Sequence, residues 1–296
     1  MPIPPTVDLR IGTSGYSYRD WVGSFYPFDT TNKDMLGFYS GTDRPQADLL
    51  DEPKPIFTTV EINATYYKML EPATFARMAE KTPDDFLFTV KAPSGVTHPD
   101  SYKHLDSSLL DGFFQSVAPL AEANKLGPLL LQFPWRFKPA PETIDYLKAV
   151  AEQFAGLNAA VEFRHRDWQS FEVLEFLAEH GISYVSVDLP PLRKLPTPLL
   201  ASTTKTLYVR FHGRRGDTWW TGNNISRYDY DYQPETLQGW SKRIEAAAQG
   251  WENDDSDLAR VIRLISGPIE RVFLFFNNHP QGKAVKAAAA LRRMLQ

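Results

Sequence analysis

AAVEFRH, residues 159–165, decides how the chain is read. Two alanines and a valine form a short apolar run, and side chains alternate across a β-strand, so Glu162 and Arg164 emerge on one face at its end. A carboxylate and a guanidinium so placed are expensive to bury unless they pair or meet another polar group. The same design recurs in DLRIGTSG (8–15), TTVEIN (58–63), FLFTVKA (86–92), LLLQFP (129–134), YVSVDLP (184–190), LYVRFHG (207–213) and VFLFFNN (272–278). Each run is apolar, and its polar residues gather toward its C-terminal end.

Between these strands the sequence signals helices. Pro72 opens one over about 72–81, and Leu109–Lys125 reads as another, with Pro119 a candidate bend. A helix begins at Pro141-Glu142 with Ile144, Leu147, Val150, Ala151 and Phe154 at helical spacing, and Gly156 closes it. The helix at 170–180 is expected to turn Phe171, Leu174, Leu177 and Ala178 inward. Further helices are expected near 33–39, 235–248, 256–266 and 283–295. Eight apolar strands alternating with helices are the pattern of a (β/α)8 barrel. An open doubly wound sheet would concentrate its polar residues at one switch point, whereas here nearly every strand end carries them. The expectation is one α/β domain over 1–296, a TIM barrel with long loops after strands one, six and seven. Segments 40–55 and 213–233 are expected as peripheral excursions.

Composition bounds the function. The 296 residues are 43% hydrophobic and 23% charged, an ordinary globular mixture. A net charge of −4 provides no global basic field and argues against nucleic acid as the main partner. Cysteine is absent, which removes disulfides, thiolate catalysis and Cys-ligated metal centres. No apolar run is long enough to span a bilayer, and MPIPPTVDLRIG does not read as a secretory signal, so a cytoplasmic protein is expected.

In a barrel the strand ends meet at one mouth. The set expected there comprises Thr13 or Ser14, Glu61, Asn63, Lys91, Gln132, Glu162, Arg164, Asp188, Arg210, His212 and Asn277 or Asn278. Glu162, Glu61, Lys91, Asp188 and His212 are the candidate catalytic residues. The two glutamates suit general acid and base roles if neighbours push their pKa values apart. Lys91 suits a base or Schiff-base nucleophile if Arg164 or Arg210 depresses it. Arg164 and Arg210 suit a ligand carboxylate or phosphate, and Asn63, Gln132 and Asn277 suit its hydroxyls. His98, Trp168 and Tyr16, on loops after strands, are added as substrate-binding candidates.

Structural readings stand beside these. Glu162–Arg164 could be a buried packing pair, Lys91–Glu61 an ion pair, Gln132 a polar cap, and His98 and His104 ordinary loop residues. No cofactor is expected. The alternative is a divalent metal on Glu162, Asp188 and His212, although Arg164 and Arg210 would repel a cation. Tyr16, Tyr18, Trp21, Tyr66, Tyr67, Trp135, Trp168, Trp219, Trp220 and Tyr228 flank the mouth as stacking surfaces or as loop packing. Gly282 and Lys283, opening the last helix, suggest a phosphate or carboxylate seat.

The motifs IGTSGYSYRDWVGSFYP (11–27), TVEINATYY (59–67), FTVKAPSGVTH (88–98), LLLQFPWRF (129–137), VEFRHRDW (161–168), VSVD (185–188), LYVRFHG (207–213) and FFNN (275–278) resemble those of the YecE-like family of uncharacterised proteins. The resemblance runs in order through essentially the whole chain. It implies a fold similar to TIM barrels and carries no assigned reaction. Departures fall in the longer connection at 40–55 and around 250–256. Three functions follow as expectations: an enzyme using acid–base chemistry on a small polar, anionic metabolite or sugar; a metal-dependent hydrolase or isomerase; and a non-catalytic binding module.

Overall fold

The computed structural model describes residues 2–43, 54–251, 262 and 266–296. Its centre is an eight-stranded parallel sheet in the order β1-β8-β7-β6-β5-β4-β3-β2. The strands are β1 Asp8–Thr13, β2 Thr59–Ile62, β3 Leu87–Lys91, β4 Leu126–Gln132, β5 Ala159–Glu162, β6 Ser183–Asp188, β7 Thr206–Phe211 and β8 Arg271–Phe276. Surrounding them are α1 Met35–Ser40, α2 Pro72–Glu80, α3 Ser94–Thr97, α4 Ser107–Glu122, α5 Pro141–Gln153, α6 Phe171–Glu179, α7 Asn224–Tyr228, α8 Pro234–Ala248 and α9 Lys283–Leu295. The expected barrel is therefore present.

The barrel is nearly closed, and its seam lies between β1 and β2. There the ladder narrows to an isolated Ser14–Glu61 bridge and a bond from the Gly15 N–H to the Glu61 carbonyl at 2.8 Å. Below it, the Tyr39 hydroxyl stands in for missing ladder bonds. It accepts from the Thr13 N–H and donates to the Thr59 carbonyl, each at 3.0 Å. Gly12 permits this approach, because a Cβ at that position would lie 2.2 Å from the Thr59 oxygen.

Inside the barrel, Leu130, Ala160, Val185, Val187, Tyr208, Phe273 and Phe275 form one apolar cluster. Outside, the sheet packs against the helices through a larger core in which Trp168, Trp240, Phe211 and Phe276 take part. Two expected core positions are corrected. Ile144 is 39% exposed, because Thr143 takes the inward place in the first turn of α5. Phe171 is 46% exposed at the first position after the Ser170 cap, and α6 buries Leu174 and Leu177 instead.

The connection 189–205 runs without a helix, as its prolines suggest. The segment 213–233 is not peripheral. It carries α7 and is fastened to β6: Arg214 and Tyr232 both donate to Asp188, and the Tyr232 hydroxyl accepts the Gly213 N–H at 3.0 Å. Most of the helix expected near 256–266 and most of the 40–55 excursion lie outside the described residues. Among the described residues, no helix is long and apolar enough to cross a membrane.

Candidate functional site

Residues side by side in a parallel sheet point to the same face. Gln132 lies beside Glu162, and Arg210 lies beside both Val187 and Phe275. Because Val187 and Phe275 belong to the interior cluster, Arg210 faces inward above it. Asp188 lies beside Phe211, whose ring packs on Trp240 of α8, so Asp188 faces outward.

The inward polar residues form a buried cluster. Arg210 donates from Nη1 to Glu162 Oε2 at 2.5 Å and from Nη2 to Glu61 Oε1 at 2.6 Å. The Tyr208 hydroxyl donates to Glu61 Oε2 at 2.8 Å, and Asn63 Nδ2 to Glu61 Oε1 at 3.1 Å. Arg164 Nε donates to Glu162 Oε1. His212 Nε2 lies 3.2 Å from Arg164 Nη2 and 3.4 Å from Glu162 Oε1, while Asn277 brackets its Nδ1 at 3.1 Å. Two carboxylates and two guanidiniums thus cancel in charge, the condition under which such groups can be buried together. A neutral imidazole accepts at one nitrogen only, so both contacts are satisfied when the Asn277 amide turns its oxygen to Nδ1–H.

Electrostatics assigns a state to each group. Burial alone would raise the Glu162 carboxyl, but Arg164 and Arg210 hold it well below the usual carboxylate range. An ionised, doubly paired Glu162 is a poor general acid. Burial and the Arg164 charge push His212 down to about 3, so it is neutral. Burial lowers the Arg210 pKa, but Glu162 and Glu61 outweigh it and hold the guanidinium charged. Each terminal nitrogen already spends one donor on a carboxylate, while Nε has no partner among the described residues.

Lys91 differs from its neighbours. Only 9% exposed, it makes no carboxylate ion pair among the described residues: Nζ donates to Gln132 Oε1 at 2.8 Å and sits 4.0 Å from the centre of the Tyr66 ring. Burial, then the charges of Arg210 and Arg164, push its amine down to about 7 against the opposing pull of Glu162 and Glu61. The expected alternative of a Lys91–Glu61 ion pair is not what forms. Gln132 is fixed in turn, since its Nε2 donates to the Phe133 carbonyl at 2.9 Å.

Above this cluster opens a cavity of about 170 Å³. Lys91, Gln132, Arg164 and Arg210 line its base, with Asn63 and Asn277 beside them. Tyr18, Tyr66, Tyr67, Tyr228 and His279 form its wall. It is smaller than the roughly 300–1,000 Å³ typical of drug-sized ligands, so it suits a compact polar molecule.

The structure therefore brings together Glu61, Glu162, Lys91, Gln132, Arg164, Arg210, His212, Asn63 and Asn277. Three expected residues are elsewhere. Asp188 accepts from Arg214, from the Tyr232 hydroxyl at 2.7 Å and from Trp240 Nε1 at 3.1 Å, and so braces β6 against α8 and the 213–233 segment. Trp168 is 2% exposed and stacks on Phe163 and Phe137 in the outer core. Tyr16 packs toward Tyr39, and Tyr18 takes the place at the cavity wall. His98 stands one residue back, its ring edge-on to Tyr66 at 5.0 Å. Its pKa falls to about 3 through burial and then the charge of Lys91.

The considered metal set is not assembled, because Asp188 and Glu162 occupy opposite faces of the sheet. Among the described residues, no group of three or more His, Asp or Glu side chains could hold a metal ion. A larger cavity, about 440 Å³, lies outside the barrel beside Gly282 and Lys283. The anion seat expected there is met by the chain's own carboxylates: Asp20 accepts the Gln281 N–H at 2.7 Å, and Lys283 pairs with Asp229.

Tyr208 and His279 escaped the sequence reading. Tyr208 stands two positions before Arg210 on β7, so its alternation offered a signal; His279 stands two after Asn277.

Fold and site together define a TIM-barrel protein whose mouth holds a neutralised carboxylate–guanidinium cluster and one buried amine. The pattern described as "Protein of unknown function DUF72" matches residues 10–296, and the chain belongs to that family. It is 28% identical to the UPF0759 protein YunF of Bacillus subtilis (strain 168) over 97% of this chain and 94% of that protein. It is 30% identical to the UPF0759 protein YecE of Escherichia coli (strain K12) over 48% of this chain and 53% of that one. The crystal structure of the DUF72 family protein TM1631 from Thermotoga maritima superposes with a TM-score of 0.77 at 33% identity, covering 97% of this chain and 99% of that one. A DUF72 protein of Enterococcus faecalis, at 22% identity and a TM-score of 0.74 over 97% of this chain and 95% of that one, shows the same fold.

Proposed function

We propose that the protein is an enzyme acting on a small polar metabolite, carboxylated, phosphorylated or sugar-like, by acid–base chemistry at the barrel mouth. Lys91 is the group that moves the proton. The observation that carries this reading is a buried amine facing the cavity with an amide and a ring, rather than a carboxylate, as its partners. General-base lysines work near neutral pH when burial and neighbouring cations favour the free amine. Glu61 and Glu162 serve this chemistry indirectly by holding Arg210 and Arg164 beside Lys91. Arg164, Asn63 and Asn277 offer donors to an anionic group or to hydroxyls.

The test is a panel of small carboxylates, phosphate esters and sugars. Binding is followed by thermal shift and turnover by proton NMR, in the wild type and in Lys91→Gln. The reading predicts a compound that stabilises both proteins and is converted only by the wild type. A compound converted at equal rates by both would contradict it.

A further inference from the structure

We infer that the cavity receives a small aldehyde or ketone, which Lys91 captures covalently as a carbinolamine and then an imine. This deepens the acid–base reading, on which it rests, by naming the substrate class. Three features of the site carry it.

The first is the aim of the amine. One N–H is tied to Gln132 Oε1 at 2.8 Å, and that amide is itself anchored by the Phe133 carbonyl. A neutral acceptor holds the nitrogen in place without favouring its protonation, leaving the lone pair available to the cavity. The second is the Tyr66 face, 4.0 Å from Nζ. An amine gains little from such a face, whereas the protonated imine that follows addition is a cation and is attracted to it. The third is size: about 170 Å³ admits a molecule of a few carbons, placing a carbonyl carbon close to Nζ.

The chemistry balances within the site. The Nζ lone pair attacks the carbonyl carbon, a C–N bond forms, and the C=O π pair moves to oxygen. A proton passes from nitrogen to that oxygen, giving the carbinolamine. The hydroxyl then leaves as water, its proton supplied from solvent through the part of the wall that carries Tyr67 and Tyr228, and the C=N bond forms. No oxidant or reductant takes part. Arg210, Arg164, Glu61 and Glu162 set the field at Nζ, beside an uncharged His98, and the cations among them favour the free amine that the step requires.

The experiment treats wild-type protein near pH 7 with glyceraldehyde or pyruvate and sodium cyanoborohydride, followed by peptide mass spectrometry. At that pH an amine titrating near 7 is about half unprotonated, against roughly 1 part in 2,500 for an ordinary lysine near 10.4. Lys91 is therefore expected to acquire the reduced adduct at least 100-fold faster than exposed lysines such as Lys148 and Lys205. Competitive acetylation with acetic anhydride runs in parallel and reports the free amine independently of imine formation. Preferential acetylation of Lys91 without preferential carbonyl trapping overturns carbonyl capture and leaves the acid–base reading standing. Absence of both preferences overturns the two together.

Discussion

Replacing Lys91 with Met is expected to stabilise the protein at neutral pH and to do so less at alkaline pH. An amine lowered from 10.5 to about 7 is bound less well as a cation by the folded state than by the unfolded chain. At about 1.36 kcal/mol per pKa unit, the full penalty is about 5 kcal/mol. A depressed pKa confers stability that is fully present above the unfolded value and is lost as pH falls through the folded one. Between 10.5 and about 7, wild-type stability therefore drops with falling pH. Integrating the two titrations gives a penalty of about 5 kcal/mol near pH 6.5 and about 2 kcal/mol near pH 9. Met removes the penalty but leaves Gln132 Oε1 without its donor, a loss of about 1–3 kcal/mol that does not depend on pH. The variant is thus expected to gain about 2–4 kcal/mol near pH 6.5, an advantage that shrinks by about 2–3 kcal/mol near pH 9. Urea unfolding of both proteins at the two pH values measures it. An effect of Lys91→Met that is the same at both would refute the reasoning.

Three other substitutions probe the frame around Lys91. Arg210→Met leaves two fully buried carboxylates without their shared cation and is expected to cost about 3–5 kcal/mol in urea unfolding; a loss under about 1 kcal/mol would show that the cluster is not held by charge. Gly12→Ala drives a methyl into the Thr59 carbonyl and is expected to cost at least about 1–3 kcal/mol, with amide exchange at Thr13 and Gly15 accelerated as the seam opens. Asp188→Asn weakens bonds to Arg214, Tyr232 and Trp240 and is expected to lower stability by about 1.5–3 kcal/mol while leaving the Lys91 titration in place; a displaced Lys91 midpoint would contradict the outward placement of Asp188.

The barrel was legible because each strand announces itself as an apolar run ending in polar residues. The core of the site was legible for the same reason: Glu162 and Arg164, or Arg210 and His212, are spaced two apart and share a face. Asp188 shows where that reasoning stopped. On β6 the inward positions are Val185 and Val187, so a carboxylate one residue further on turns to the helices. Strand alternation hints at this, but only the register with Arg210 fixes which face is inside. Trp168 looks like a rim residue by position, yet the short turn Arg166–Trp168 folds it back beneath Phe137 and Phe163. Tyr208 was hidden in an apolar strand, where its hydroxyl gave no sign of being aimed at Glu61. Segment 213–233 has a surface-like composition, and its anchoring through Arg214 and Tyr232 depends on the outward face of Asp188, which sequence order does not reveal.

The central claim is that the fold holds one amine free of carboxylate partners at the barrel mouth. It is tested most directly by titrating protein labelled with ¹³C-lysine by NMR, with the Lys91 resonance assigned by its loss in Lys91→Arg. The account predicts a midpoint of about 7, well below the range of ordinary lysines. A midpoint above about 9.5, within the range of ordinary lysines, would contradict it.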